Sequence, residues 1–140
     1  MKVRRQARAL ALQALYEIDS AGHAPDEVVP RLAESEALSA EGVTFATALV
    51  QGVLACAAQL DAIIGKHAPE WPVDQLAIVD RNILRMALYE LQHNADVPIK
   101  VAVNEAVELA KTFGSDTAPR FINGVLGTFL QAHPAGELRP

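Results

Sequence analysis

The sequence predicts an all-α protein of about seven helices. Apolar residues recur three and four positions apart in most segments, which is the spacing of an amphipathic helix. No segment alternates between apolar and polar residues for long enough to predict a strand, and prolines and glycines separate the periodic stretches. The chain has 140 residues, 51% of them hydrophobic, which is enough for one domain or for two small subdomains that share a core.

The first predicted helix, residues 3–20, carries a local excess of positive charge, and Gly22 follows it as a stop signal. Residues 1–16 contain four basic residues and no acid, whereas the other 124 residues carry 8 bases and 17 acids, a net charge of −9. A nucleic-acid phosphate backbone would be attracted to this basic end and repelled elsewhere. The charge distribution therefore predicts a small, salt-sensitive contact area.

Tyr16 is placed to extend that contact area along the same helix. Arg5 and Tyr16 are 11 residues apart, close to three helical turns, so their side chains lie in line on one face. One interpretation is a base stacked on Tyr16 while the arginines contact phosphates. The other is a solvated basic flank with Tyr16 half-buried in the core, and the spacing alone leaves both open.

The next two helices are predicted from their boundaries. A short helix runs from about residue 26 to 35, with Pro30 in its first turns. Ser39 is expected to be the N-cap of the longest helix, which continues to Ile64 and stops at Gly65. The apolar positions of this helix have the spacing of a bundle seam, so we expect it to serve as scaffold.

The segment 67–72 contains two prolines three residues apart, which must interrupt the helical pattern. We therefore expect a connector there, with the boundary between two subdomains of about residues 1–66 and 74–132. Trp71 is expected to fix this connector to the core.

The helix predicted for residues 76–91 has the widest apolar stripe, formed by Leu76, Val79, Ile83, Ala87 and Leu91. Its polar residues leave one narrow flank for solvent or a partner: Asp80, Arg81, Asn82 and Arg85, with Glu90 near the end. A helix with so wide an apolar surface must be wrapped by others, so we expect it at the centre of the fold. Asp74 is placed to cap its N-terminus.

Two further helices are predicted, from Pro98 to about Phe113 and from about residue 117 to 132. The polar side of the first carries Asn104, Glu105, Glu108 and Lys111. Glu105 and Glu108 lie on adjacent turns, where they would either bind a cation or form part of a solvated flank with Lys111. We expect Asn104 and Glu105 to form a hydrogen-bonded pair that fixes the helix against its neighbours.

Gly124 and Gly127 fall on the outer side of the last predicted helix, beside Arg120 and Asn123. Each glycine inside a helix costs about 1 kcal/mol relative to alanine. A close approach by another backbone or by a ligand would explain why they are there.

No combination of residues predicts catalysis. The four histidines lie at predicted helix ends or in connectors without the spacing of a metal pair, and the single cysteine, Cys56, is expected to be a buried small hydrophobe. No apolar run approaches the roughly 20 residues of a membrane span, and the N-terminus lacks a secretory pattern. The residues by themselves predict a cytoplasmic helical binding module with a basic end, without enzymatic activity, metal or cofactor.

Four blocks of the sequence resemble, in register, the NusB family of transcription antitermination proteins. They are ARALALQALYEID, ILRMALYEL, VPIKVAVNEAVELAKTFG and RFINGVLGTFL. The resemblance implies two small helix bundles that share the central helix, and no catalytic activity. It also implies binding of boxA RNA together with the ribosomal protein NusE, in a complex that helps RNA polymerase resist termination on ribosomal RNA operons.

The family pattern also implies site residues. RNA contacts would lie at Lys2, Arg4, Arg5, Arg8, Tyr16, Asn123 and Gly127, and the NusE surface would include Asp80, Arg81 and Arg85. Many members carry an acidic residue where this chain has Gly127, so a contact there would use the backbone.

Two other functions fit a NusB-like chain. A NusB-like domain also forms the N-terminal part of certain ribosomal RNA cytosine methyltransferases, and a detached copy would bind ribosomal RNA without catalysis. The other alternative is a helical adaptor that binds protein and no RNA. The basic first helix separates the two, because only RNA binding needs those charges.

Overall fold

The computed structural model describes residues 2–134. Within them the chain forms seven α-helices and one short 3-10 helix, with no strand, so the all-α prediction is confirmed. The helices are α1 (Lys2–Ala21), α2 (Pro25–Ser35), α3 (Ala40–Ala55), α4 (Ala57–His67), α5 (Ile78–His93), α6 (Ile99–Phe113) and α7 (Ala118–Ala132), and the 3-10 helix is Val73–Gln75.

The chain divides into two compact units between Ala55 and Cys56. The first unit contains α1, α2 and α3, and α1 packs against both of the others. Gly22 ends α1 as predicted: its φ of +71° suits glycine, and its N–H donates to the carbonyl oxygen of Ile18 at 3.0 Å. Ser39 caps α3 as predicted, because its Oγ accepts a hydrogen bond from the Gly42 N–H at 3.2 Å.

The single long helix predicted for residues 39–64 is wrong. The helix breaks at Cys56, whose φ of −105° and ψ of 10° lie outside the α-helical range, and the chain passes there from the first unit to the second. No proline or glycine lies at this break, and the apolar spacing continues across it. The sequence pattern therefore gave no sign that the helix ends there. Gly65 is not a stop either, because α4 continues to His67, and Cys56 is only partly buried.

The second unit contains α4 to α7, and α5 packs against each of the other three α-helices. The predicted centre of the fold is therefore the centre of this unit. Ile83, Leu84, Leu88 and Leu91 are fully buried on α5. Asp74 does not cap α5: it belongs to the 3-10 helix, and Ala77 is the N-cap residue, without a side-chain hydrogen bond.

Polar residues are buried where the sequence predicted exposure. Asn82 is 1% exposed and its Nδ2 donates to the Ile78 carbonyl oxygen at 2.8 Å, while Glu90 is 2% exposed. Glu105 on α6 is buried as well, which agrees with a position packed against neighbouring helices and not with a solvated flank. Conversely, Trp71 does not fix the connector to the core, because 57% of its surface is exposed. A large apolar residue in a connector with two prolines suggested an anchor to the core, but the connector leaves the Trp71 side chain exposed.

The inward side of α7 agrees with the prediction, since Ile122, Val125, Leu126 and Phe129 are buried. Among the described residues, no single helix combines the length and the hydropathy needed to cross a membrane.

Candidate functional site

Two arginines of α1 lie over the ring of Phe45 on α3. The Cζ atoms of Arg4 and Arg8 are 5.0 and 5.1 Å from the ring centroid, within cation–π range. Arg8 is 4% exposed, whereas Arg4 is partly exposed. Packing against one aromatic ring therefore orders these two guanidinium groups before any ligand is present.

Lys2 and Arg5 are exposed on the same two turns of α1. We call Lys2, Arg4, Arg5 and Arg8 the basic head. It combines two exposed cations with two that lie on Phe45, and no acidic residue occurs in the first 16 positions. Such a cluster attracts anions electrostatically and presents only part of its charge for direct contact. The burial of Arg8 differs from the sequence-based expectation of a solvent-facing contact.

Tyr16 is 45% exposed on α1, so it is not buried in the core. This exposure leaves the ring about half covered, so both interpretations of its position stay open. Arg5 is exposed as well, in agreement with the spacing argument that places both side chains on one face. The ring is accessible to a stacking partner, although base stacking itself stays a prediction.

An ion-pair cluster joins α1 to α2 next to Tyr16. Glu17 Oε2 accepts from Arg31 Nη2 and lies 2.7 Å from His23 Nδ1. The hydrogen bonds from Arg31 and then from His23 lower the pKa of Glu17 from its usual value. We call Glu17, His23 and Arg31 the α1–α2 corner. Nothing in the helical spacing predicted it, because its members come from two helices and the loop between them.

The exposed face of α7 contains Arg120, Asn123, Gly124 and Gly127. A Cβ atom added at Gly124 or Gly127 would meet nothing within 4 Å. Close approach by another part of the described chain therefore does not explain these glycines. Close approach by a ligand is the other explanation. It agrees with the backbone contact with RNA that was predicted at Gly127.

Arg85 is engaged within the chain. Its Nε and Nη2 donate to the two carboxylate oxygens of Asp61 on α4 at 2.7 and 2.9 Å, and its Nη1 donates to Asn82 Oδ1 at 3.2 Å. The Arg85 side chain is only 15% exposed. This bidentate pair joins α4 to α5, so the expected role of Arg85 as a partner contact is corrected to a structural one.

Asp80 and Arg81 remain as the accessible part of the predicted partner surface. Both are partly exposed, and Arg81 Nη1 donates to the Asp74 carbonyl oxygen at 3.2 Å. Burial raises the pKa of Asp80 above its usual value. The carboxylate is therefore more costly to keep ionised than an exposed one, and a cationic partner would relieve that cost.

The two glutamates of α6 are in different environments. Glu105 is buried, whereas Glu108 is exposed and pairs with Lys111 at 3.0 Å. The solvated-flank interpretation therefore fits Glu108. No group of three or more side chains suited to a metal ion occurs in residues 2–134.

Two grooves of the second unit meet at Trp71, Arg120 and Phe121, which line both. The first groove, about 340 Å³, extends along α7 past Gly124 to Thr128. The second, about 480 Å³, extends towards Leu76 and Asp80. At the edge of the first groove, burial, with smaller contributions from Lys66 and His133, lowers the pKa of His67.

Comparison with known proteins identifies the family. The family model described as "NusB family" matches residues 5–131, which is nearly the whole chain. This chain belongs to the NusB family. The transcription antitermination protein NusB of Roseiflexus sp. strain RS-1 is 49% identical over 133 residues, covering 94% of each chain. The NusB protein of Dehalococcoides mccartyi strain CBDB1 is 49% identical over 129 residues, covering 92% of this chain and 90% of the relative.

Solved NusB structures have the same fold. A chain in the crystal structure of the antitermination factors NusB and NusE in complex with double-stranded RNA superposes with a TM-score of 0.86. It is 29% identical, and the match covers 95% of this chain and 99% of that one. The predicted membership of the NusB family is therefore confirmed.

Sequence analysis missed two residues that shape the NusB-like surfaces described above. Phe45 falls outside the apolar seam predicted for residues 39–64, and Asp61 is an ordinary acidic residue of α4. Each becomes informative only through a residue from another helix: Phe45 through Arg4 and Arg8, and Asp61 through Arg85.

Proposed function

We propose that this NusB family member is an RNA-binding transcription antitermination factor. It binds boxA RNA together with the ribosomal protein NusE, and it helps RNA polymerase resist termination on ribosomal RNA operons. The observation that carries the proposal is the NusB fold together with a basic head on α1, two of whose arginines are ordered on Phe45. The NusB relative solved with NusE and double-stranded RNA supports it, because its chain corresponds to nearly all of this one.

In the first unit, the basic head and Tyr16 contact RNA. Lys2 and Arg5 are exposed and contact phosphate oxygens directly, while Arg4 and Arg8 add positive potential from their positions on Phe45. Tyr16 offers an exposed ring to a base. In the second unit, Asn123 contributes its amide and Gly127 its backbone from the exposed face of α7.

The NusE surface lies on the flank of α5. Asp80 pairs with a basic side chain of NusE, and Arg81 lies beside it. Arg85 acts indirectly, because it holds α4 against α5 through Asp61.

The protein acts in the cytoplasm, where nascent RNA and RNA polymerase are found. It has no catalytic role and needs no cofactor. Its function is to bring RNA and NusE together within the antitermination complex.

The RNA part is tested by reversing the exposed charges of the basic head. In a titration of labelled boxA-like RNA, with and without NusE, the double variant Lys2→Glu, Arg5→Glu should bind at least tenfold more weakly at low salt. Each lost phosphate contact should also reduce the slope of log affinity against log salt by about 0.7. The matched control is Lys100→Glu, Lys111→Glu, which changes the net charge equally at two exposed positions of α6.

If the head and the control variants lower RNA affinity equally, net charge rather than the basic head would explain the effect. If neither variant changes RNA binding while NusE still binds, the protein is a helical adaptor that recognises protein only.

The protein-partner part is tested at Asp80. Asp80→Lys should weaken NusE binding, measured by calorimetric titration, and should leave RNA binding without NusE nearly unchanged. Asp96→Lys, at another exposed acid of the same unit, is the control. Unchanged affinity of the Asp80→Lys variant for NusE would remove Asp80 from the interface.

A further inference from the structure

We propose that the groove along α7, between Trp71 and Gly124, binds one nucleotide of single-stranded RNA, with its base stacked on Trp71 and a phosphate at Arg120. This inference rests on the proposed RNA binding and adds three residues to it: Trp71, Arg120 and Gly124. Residues 2–134 do not explain three features of this groove, and a nucleotide explains all of them.

The first feature is Trp71, whose 57% exposure exceeds that of the other large hydrophobic residues in the described part of the chain. Exposing an indole to water loses the free energy that its burial would provide. Trp71 lines both grooves, so its exposed indole is accessible to a ligand that enters either of them. A nucleobase stacks favourably on such a ring, whatever its sequence.

The second feature is Arg120, which lines both grooves and is exposed. Among residues 2–134, no carboxylate forms an ion pair with its guanidinium group. An accessible guanidinium next to an aromatic ring can bind a phosphate by paired hydrogen bonds while the ring holds the base.

The third feature is Gly124, inside α7, where an added Cβ atom would meet nothing within 4 Å. Alanine would be the better helix former there, and the chain leaves room for it. A ligand that approaches the helix backbone closely would explain the glycine. Thr128 lies one turn further along the same groove, although its Oγ is engaged with the Gly124 carbonyl oxygen at 2.9 Å.

The groove along α7 suits RNA better than the groove towards Leu76. The latter contains the Asp80 carboxylate, which repels a phosphate and is assigned to NusE. The groove along α7 contains one carboxylate, that of Glu70, which is exposed at its edge and can accept a hydrogen bond from a base N–H or a ribose hydroxyl. A volume of about 340 Å³ lies at the lower end of the range for small-ligand sites.

Trp71 provides the direct test, because it is the only tryptophan of the chain. Titration with boxA-like single-stranded RNA should quench its intrinsic fluorescence with the same midpoint as RNA binding measured independently by anisotropy. Trp71→Ala should lower RNA affinity about 5- to 100-fold, and Trp71→Phe should retain most of it. Phe113→Ala, which removes another exposed aromatic side chain of the second unit outside both grooves, should have no effect.

Gly124→Ala separates binding from folding. Since nothing obstructs the new methyl group, this variant should keep or raise the thermal midpoint of unfolding and yet bind RNA at least threefold more weakly. Gly65→Ala is the matched control, because Gly65 also lies inside a helix of the second unit with nothing within 4 Å of an added Cβ. It should leave RNA affinity unchanged. Arg120→Gln should reduce the slope of log RNA affinity against log salt concentration by about 0.7, because one phosphate contact is lost.

The outcomes distinguish this inference from the proposed function. If wild-type protein binds RNA but Trp71 fluorescence does not change and Trp71→Ala binds normally, the groove proposal is overturned and the basic head remains. If NusE alone quenches Trp71 and Trp71→Ala loses NusE affinity, the groove binds protein and the proposal is equally overturned. If wild-type protein binds no RNA with or without NusE, both proposals fail.

Discussion

The basic head of α1 and the polar flank of α5 look similar in sequence, since each is a short run of charged residues on one side of a helix. In the structure they differ. The head presents Lys2 and Arg5 to solvent and supports the remaining cations on an aromatic ring. On the flank, Arg85 forms an ion pair with Asp61 of the neighbouring helix α4, and Asp80 is partly buried.

The comparison teaches that the chain's own side chains decide which charges are available to a partner. Phe45 orders the guanidinium groups of Arg4 and Arg8 without adding a negative charge, because a ring carries no net charge. Asp61 orders Arg85 and also neutralises it. One region is therefore prepared to attract an anion, whereas the other is mainly a structural junction with one acid at its edge.

The largest expected effect on stability comes from the buried side of α5. It gives the standard against which the effects of substitutions on the polar flank of α5 are compared. Ile83→Ala and Leu91→Ala should each lower the free energy of unfolding by roughly 2–5 kcal/mol, through lost transfer energy and a cavity. Denaturant melts measure this loss, with the partly exposed Leu54→Ala as control. A loss below about 1 kcal/mol at both sites would mean that α5 is not the structural centre of its unit.

The Arg85–Asp61 pair tests whether the flank is structural. Arg85→Ala should lower the free energy of unfolding by about 1.5–3 kcal/mol, because the charge-assisted hydrogen bonds to Asp61 are lost. A double-mutant cycle with Asp61→Ala isolates the pair, and Lys100→Ala controls for removal of an exposed cation. A coupling energy under about 0.5 kcal/mol would mean that the pair contributes little to stability, and Arg85 would again be a candidate for contact with NusE.

Tyr16 tests the other side of the comparison, because its exposed ring lies on the helix that carries the basic head. Tyr16→Ala should weaken RNA binding by roughly 1–3 kcal/mol and leave the salt slope unchanged, because stacking releases no counterions. Tyr16→Phe should keep most of the affinity. If Tyr16→Ala lowers only the melting temperature, and RNA affinity is preserved where the protein is folded, the ring serves the fold and the RNA site is reduced to the cations.

The smallest expected effect is at Asp80. Its pKa is raised by burial, so the native state holds a proton more tightly than the unfolded chain, and stability falls as pH rises through this pKa. Asp80→Asn removes the cost of the buried charge and should raise the free energy of unfolding at pH 7 by no more than about 0.5 kcal/mol. Melts at acidic and neutral pH should show the gain only at neutral pH. A gain of the same size at both would exclude ionisation as its cause.

Local signals predicted much of the fold. Gly22 has the positive φ that makes glycine a helix stop, Ser39 makes its capping hydrogen bond, and apolar spacing correctly located the buried side of α7. The break at Cys56 could not be predicted, because a continuous apolar pattern fits one helix or two equally well. The spacing of apolar residues also does not show that α3 belongs to the first unit and α4 to the second.

The site was less predictable, because each of its corrections involves residues distant in sequence. Arg8 is covered through Phe45, and Arg85 is engaged through Asp61, 24 residues earlier in the chain. Asn82 and Glu90 are polar residues on a helix whose neighbours surround it almost completely, so polarity was a poor guide to their exposure. Resemblance to a family assigns roles to positions, whereas only the folded neighbours decide whether a side chain is accessible.

The α1–α2 corner makes the connection between the first two helices sensitive to acid. The lowered pKa of Glu17 means that its carboxylate stabilises the folded corner above the usual value of 4.5, and this stabilisation is lost as pH falls through the depressed value. Protonation of Glu17 removes the acceptor shared by Arg31 and His23, so the loop between the two helices loses the ion pair that fixes it. Because the lowered pKa keeps Glu17 ionised after ordinary glutamates are protonated, the loop beside Tyr16 should keep this ion pair until the pH falls below their usual range.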